Sequence, residues 1–195
     1  TACHKSGTCP EELFDVTPYA QAVMSYLIRH PLTQSLPRKF KISLGGCTGC
    51  GLGPIHDIAL NARMQDGQRG FRMLVGGGLG SYPKSAELLY EFLPVADLLR
   101  TCEAIITVFD QHGDKQNRNK ARFKFVVERY GIDKTREIIR EEFERLSDRT
   151  YPEIEVAGEA MPFIPDFPAS TEFHNDPEFK AWVARNTFEQ RQAGF

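Results

Sequence analysis

The sequence has almost no charge bias. Its 24 Lys and Arg stand against 26 Asp and Glu, for a formal net charge of −2. Such a balance gives no global attraction to nucleic acid or to an anionic membrane surface, so any anion site must come from a local basic cluster. No apolar run approaches the roughly 18 residues that span a bilayer, and no secretory signal is visible. Trp182 is the only tryptophan, and there are only 5 cysteines. An odd cysteine count argues against the closed disulfide framework of a small secreted domain, and a cytoplasmic location follows as the expectation. Internal repeats and low-complexity tracts are absent. The chain opens on Thr1 rather than Met and stops abruptly at Phe195, so the expectation is a piece of a longer protein.

What is present suffices for a core: 195 residues, 41% of them hydrophobic, enough for one domain and an appendage. Residues 1–16 read as irregular. Tyr19, Ala20, Val23, Met24, Leu27 and Ile28 then fall at helical spacing, with Thr17 as N-cap and Pro18 in the first turn. Residues 39–44 alternate Lys39, Lys41 and Ser43 with Phe40, Ile42 and Leu44, a strand pattern. Further strands are expected over 55–62 and 71–75, with a turn at Asp66-Gly67 between them. Helices are expected over 85–92, 95–112, 117–130 and from Asp133 to about Leu146. Leu98, Leu99, Cys102, Ile105, Ile106 and Phe109 form the inner face of the second. After Arg149 the prolines at 152, 162, 165 and 168 mark a linker. The fold class is α+β with α/β character, a small mixed sheet packed with helices.

Five residues separate Cys3 from Cys9, and two separate Cys47 from Cys50 in a glycine-rich loop. Four thiolates from short loops suit an iron–sulfur cluster or zinc. A thioredoxin-type dithiol normally opens a helix, whereas Gly51-Leu52-Gly53-Pro54 disfavours one. A set of reduced, partly buried thiols is the plain alternative. Gly76-Gly77-Gly78-Leu79-Gly80 fails both nucleotide fingerprints, since Ser81 replaces the third glycine and no Gly-Lys-Ser/Thr follows. It reads as a strand exit or as a turn whose free N–H groups meet an anion or a flat macrocycle. Lys39 and Lys41 share one strand face, where like charges repel unless an anion joins them. Lys115, Arg118, Lys120, Arg122 and Lys124 form a second basic set, with Arg118 and Arg122 on one helix face. Solvated surface charge is the ordinary reading of both sets.

Taken in order, Leu36-Pro37-Arg38-Lys39-Phe40-Lys41, the run Gly70 through Gly80, and Asp114 through Lys124 resemble the siroheme-dependent sulfite and nitrite reductases. The resemblance covers about residues 1–148. It implies an enzyme of two homologous halves, with a siroheme coupled to a [4Fe-4S] cluster between them. Residues 1–148 then correspond to the siroheme/4Fe-4S-type module of the first half, 149–178 to a linker, and 179–195 to the start of a ferredoxin-like half-domain. By the same resemblance, Lys39 and Lys41 face the substrate oxyanion and the siroheme carboxylates. Arg38, Arg118 and Lys124 match basic positions, and Gly76, Gly77 and Gly78 border the macrocycle. The family's cluster motif ends in a pair one residue wider than Cys47-x2-Cys50. Cys3, Cys9, Cys47 and Cys50 are thus either metal ligands here or relics, with the cluster held mainly by the other half.

The implied activity is multi-electron reduction of sulfite or nitrite, with electrons from ferredoxin or a flavoprotein. The implied partners are that donor, the oxyanion and the remaining half, with no nucleic acid and no membrane. The competing class is a non-catalytic iron–sulfur or zinc domain, such as an electron carrier, built on the four cysteines.

Overall fold

The computed structural model describes residues 1–6, 9–47, 52–156 and 175–187. Four strands form one sheet in sequence order: β1 (Ile42–Gly45), β2 (Ile58–Gln65), β3 (Gln68–Val75) and β4 (Glu87–Pro94). β1 runs parallel to β2, and the other two pairings are antiparallel. Around it lie α1 (Thr17–Leu27), α2 (Pro31–Ser35), α3 (Leu98–His112), α4 (Phe123–Tyr130) and α5 (Ile132–Arg145). A further helix, α6 (Pro177–Asn186), is capped by the Asp176 carboxylate and buries none of its residues. The mixed sheet with helices agrees with the α+β expectation.

The strand period decides the core face. Ile58, Leu60 and Ala62 stand opposite Val75, Met73 and Phe71, and all six are buried in the core. Phe71 meets Phe14 and Tyr19 edge-on, at ring separations of 5.7 and 5.4 Å. Such contacts add roughly 0.5–1.5 kcal/mol each to the burial of the rings. The β2–β3 hairpin turns on Asp66 and Gly67, both with positive φ (50° and 77°). That is the mirror-image turn which matches strand twist, and Asp-Gly is its usual sequence. Helix α3 buries Leu98, Leu99, Cys102, Ile105, Ile106 and Phe109, as expected from their spacing.

Several boundaries differ from the sequence reading. Val16, not Thr17, precedes the first helix, and Asp15 Oδ1 takes the Thr17 amide at 2.8 Å. The stretch expected as a helix over 85–92 is β4. Leu89 and Leu93 are its buried residues, and a spacing of four fits one helical turn as well as two strand repeats. Pairing with β3 settles the choice. Helix α3 starts at Leu98, after a 3-10 turn over Val95–Asp97. The helix expected from Asn117 begins only at Phe123. Asp114 Oδ1 instead accepts the amides of Gln116 (2.9 Å) and Asn117 (2.7 Å), and Asn117 Oδ1 accepts that of Asn119 (3.1 Å). Short polar side chains of this kind bind nearby amides in competition with the helix ladder. At the last long helix, Asp133 sits in the first turn and pairs with Arg136, while Gly131 is the cap.

Candidate functional site

The approach to β1 places the basic residues. Phe40 turns inward and packs on Phe109 and Phe123, with ring centroids 5.4 and 5.7 Å away. Its neighbours Lys39 and Lys41 are left exposed. The alternation is therefore real, although regular pairing begins only at Ile42. Arg38 Nη1 donates to the carbonyl of Arg118 at 2.9 Å, joining this segment to the loop over 114–122. Arg38, Lys39, Lys41 and Arg118 thus belong to one seam between two neighbouring segments. Since residues 117–122 are not helical, Arg118 and Arg122 do not share a helix face.

Beneath the seam, Asp57 is fully buried. Arg122 grips it twice, Nη2 to Oδ2 at 2.7 Å and Nε to Oδ1 at 3.3 Å. The same Oδ2 accepts the backbone N–H of Lys41 at 2.9 Å. Burial raises the Asp57 carboxyl above the ordinary carboxylate range, against the opposing pull of Arg122 and of the Lys41 amide. In the sequence Arg122 is one charge in a basic run, and Asp57 is not singled out. The available signal was an Asp in the loop just before an apolar strand, where an acid needs a cationic partner.

Gly76, Gly77 and Gly78 are buried, and their amides are not free. They donate to Asp57, His56 and Lys84 carbonyls, each at 2.9 Å. These three amides are therefore spent on backbone carbonyls within the fold. The reason for glycine is close backbone approach, since a Cβ on Gly77 would stand 2.2 Å from the Pro54 carbonyl oxygen. Lys124 is buried as well, and its ammonium donates to the carbonyls of Leu79 (3.1 Å) and Tyr82. Burial lowers its pKa from the ordinary lysine value. In this structure Lys124 and the glycines build the wall of the 78–84 loop.

On the other side of Lys39 lies an open groove of about 560 Å³. Val23, Met24, Leu27 and Ile28 of α1 line it opposite Arg38, Lys39, Phe40 and Ile42. Met24 and Ile28 are 58% and 63% exposed, an uncovered apolar strip beside a cationic edge. Lys41 is not part of that lining.

The thiols are only partly brought together. Cys9 and Cys47 have sulfurs 3.8 Å apart. Cys3 Sγ accepts the Lys5 amide at 3.4 Å. Among the described residues no three His, Cys, Asp or Glu side chains gather as a metal-holding group. Cys50 lies outside the described residues. Cys102 is fully buried on α3, and burial pushes its thiol up to about 12.

No described helix is long and apolar enough to cross a membrane. The chain resembles a Mycolicibacterium paratuberculosis protein named sulfite reductase [ferredoxin] 1. The two are 31% identical, over 75% of this chain and 27% of the relative. It is 36% identical to the assimilatory ferredoxin-dependent nitrite reductase of Haloferax mediterranei, over 73% of this chain and 26% of that protein. Among solved structures it matches the Mycobacterium tuberculosis NirA protein at 26% identity with a TM-score of 0.67, over 80% of this chain and 28% of that one. The chain therefore spans about a quarter of the length of the curated relatives it matches. The model of the nitrite and sulphite reductase 4Fe-4S domain matches residues 1–146. That match takes in the Asp57–Arg122 anchor, the basic seam and the Cys9–Cys47 pair, and the chain belongs to that family.

Proposed function

We propose that this chain is one module of a larger cytoplasmic oxidoreductase that reduces sulfite or nitrite at a siroheme coupled to a [4Fe-4S] cluster. The observation that carries the reading is the exposed Lys39 and Lys41, held in place by inward-packed Phe40 and by the Asp57 hydrogen bond to the Lys41 amide. Two exposed ammonium groups two residues apart suit an anion, whether a substrate oxyanion or a carboxylate of the macrocycle. Arg38 and Arg118 extend that edge. Gly76, Gly77, Gly78 and Lys124 would support it by fixing the 78–84 loop rather than by donating to a ligand.

When bound, the siroheme and cluster would supply the electron-transfer chemistry that side chains lack. The role of this chain would be to neutralise the incoming oxyanion and hold protons at the Lys39 and Lys41 Nζ atoms, ready for oxygens leaving as water. We place cluster ligation mainly in the other half, because the described thiols here gather only as a pair. The ferredoxin named in the relatives' titles is the proposed donor class, with a flavoprotein as its substitute, and nucleic acid and membrane are not expected partners. The segment 149–178 would be a linker and 179–195 the start of the next half-domain. Residues 149–156 are described, and Tyr151 and Ile154 pack against the core.

A second reading rests on the 3.8 Å approach of Cys9 and Cys47. Two sulfurs of a tetrahedral zinc site, each about 2.3 Å from the metal, lie near that separation. Cys3 and Cys50 would then complete a non-catalytic iron–sulfur or zinc domain, or an electron carrier. The visible spectrum of the full-length protein separates the readings: Soret and long-wavelength bands for siroheme, a broad brown shoulder for a lone cluster, nothing for zinc. In the full-length protein, Lys39→Met with Lys41→Met should lower anion reduction by about 100-fold or more with siroheme content and folding retained. Unchanged turnover in that double variant would return both lysines to ordinary solvated charges.

A further inference from the structure

We propose that Cys9 and Cys47 form a redox pair that closes to an intrachain disulfide and fastens the N-terminal segment to the end of β1. The Cys9 thiol donates to the Cys47 sulfur, 3.8 Å away across 38 residues of chain. Closing the bond, at about 2.05 Å, requires the sulfurs to approach by roughly 1.8 Å. The surrounding backbone already holds the two strands of chain together. The Thr1 ammonium donates to the Ile42 carbonyl at 2.8 Å, and the Leu44 amide to the Thr1 carbonyl at 2.9 Å. Further along, the Leu13 amide donates to the Gly46 carbonyl at 2.8 Å. Gly46 is packed so closely on Glu12 that a Cβ there would fall 2.3 Å from Glu12 Oε1. Cys9 thus sits in a segment tied to the β1 edge on both sides of it.

The two thiols differ in access, which gives each a role. Cys9 is partly exposed and Cys47 is buried. In the proposed step, a small disulfide such as glutathione disulfide supplies the oxidising equivalents. The Cys9 thiolate attacks one of its sulfurs and expels one glutathione thiolate. The Cys47 thiolate then attacks the Cys9 sulfur of the mixed disulfide and expels the second. Two protein thiols lose two electrons, two glutathione molecules are formed, and the protons from Cys9 and Cys47 end on the leaving thiolates.

The test uses the full-length protein carrying this chain, reduced, freed of excess reductant and equilibrated anaerobically with glutathione disulfide. Remaining thiols are alkylated and the peptides mapped by mass. The expected result is one cross-linked peptide pair joining Cys9 to Cys47. The melting temperature should rise by about 3 °C over the reduced protein, an increment abolished by Cys9→Ser. Mapping needs no variant, so a Cys47→Ser chain that fails to fold leaves the test intact. Full alkylation of Cys9 and Cys47 after oxidation would overturn the proposal. So would a disulfide joining Cys47 to Cys50 or Cys3 to Cys9, and so would resistance to both reagents traced to bound iron or zinc. None of these readouts depends on anion reduction.

Discussion

Asp57 binds the Arg122 guanidinium at 2.7 Å and the Lys41 backbone amide at 2.9 Å through the same oxygen. One buried carboxylate therefore joins the start of α4 to the segment that carries the exposed lysines. Removing the cation without the acid leaves the buried Asp57 carboxyl with the Lys41 amide but without its ion-pair partner. Arg122→Met should cost about 3–5 kcal/mol of unfolding free energy, the usual penalty for breaking a buried ion pair. Asp57→Asn keeps an acceptor for the Lys41 amide and should cost less, about 1–3 kcal/mol. Urea unfolding of the two variants checks the order, and an Asp57→Asn variant weaker than Arg122→Met would contradict it.

Two glycines with different reasons for being glycine give a second test. A Cβ on Gly77 would meet backbone on two sides, 2.2 Å from Pro54 O and 2.7 Å from His56 O. Backbone cannot rotate away as a flexible side chain can, so Gly77→Ala must shift the loop over 54–56 and should lose about 3 kcal/mol. Gly67 has φ of 77° with open space around it. Gly67→Ala meets no clash and should lose only about 1–2 kcal/mol, the cost of left-handed backbone for a residue with a Cβ. Thermal melts of the two should separate in that order. Equal losses would mean the 54–56 loop yields freely.

Where a side chain's partner is close in sequence, or its period unambiguous, the sequence was sufficient. The Asp66-Gly67 turn follows from local chemistry, and the inner face of α3 from six residues at helical spacing. The order of the basic and glycine motifs also identified the family that the chain belongs to. What could not be read depended on distant partners. Leu89 and Leu93 fit either period, and only hydrogen bonding to β3 makes their segment a strand. The glycine run looked like an amide cradle because nothing local shows that its N–H groups meet the carbonyls of Asp57, His56 and Lys84. Lys124 belongs to a run of basic residues, and nothing local shows that its ammonium meets the carbonyls of Leu79 and Tyr82. Arg122 and Asp57, 65 residues apart, carry no mark of their pairing.

Glu103 gives the last case of a distant partner, and it leads to a pH dependence. It is 1% exposed on α3. Tyr26 Oη donates to it at 2.6 Å and Tyr151 Oη at 2.9 Å, with Arg149 and His30 also against it. Burial, and then the neighbouring carboxylate, push the Tyr26 hydroxyl from its ordinary 10.0 up to about 12, and the same causes raise Tyr151. A raised folded-state value means that the folded chain keeps a proton which the unfolded chain has lost. The associated stability is therefore complete below the unfolded value near 10 and is lost as pH climbs through the folded value near 12. Tyr26→Phe removes one of these protons. At neutral pH it should cost only about 1 kcal/mol, since Glu103 keeps its other partners. Above about pH 10, where free tyrosine ionises, its stability should fall less steeply than that of the unsubstituted chain. Denaturant unfolding across that alkaline range, with tyrosinate absorbance followed in parallel, makes the comparison. Parallel stability profiles for the two proteins would show that the Tyr26 hydroxyl is not held neutral by Glu103.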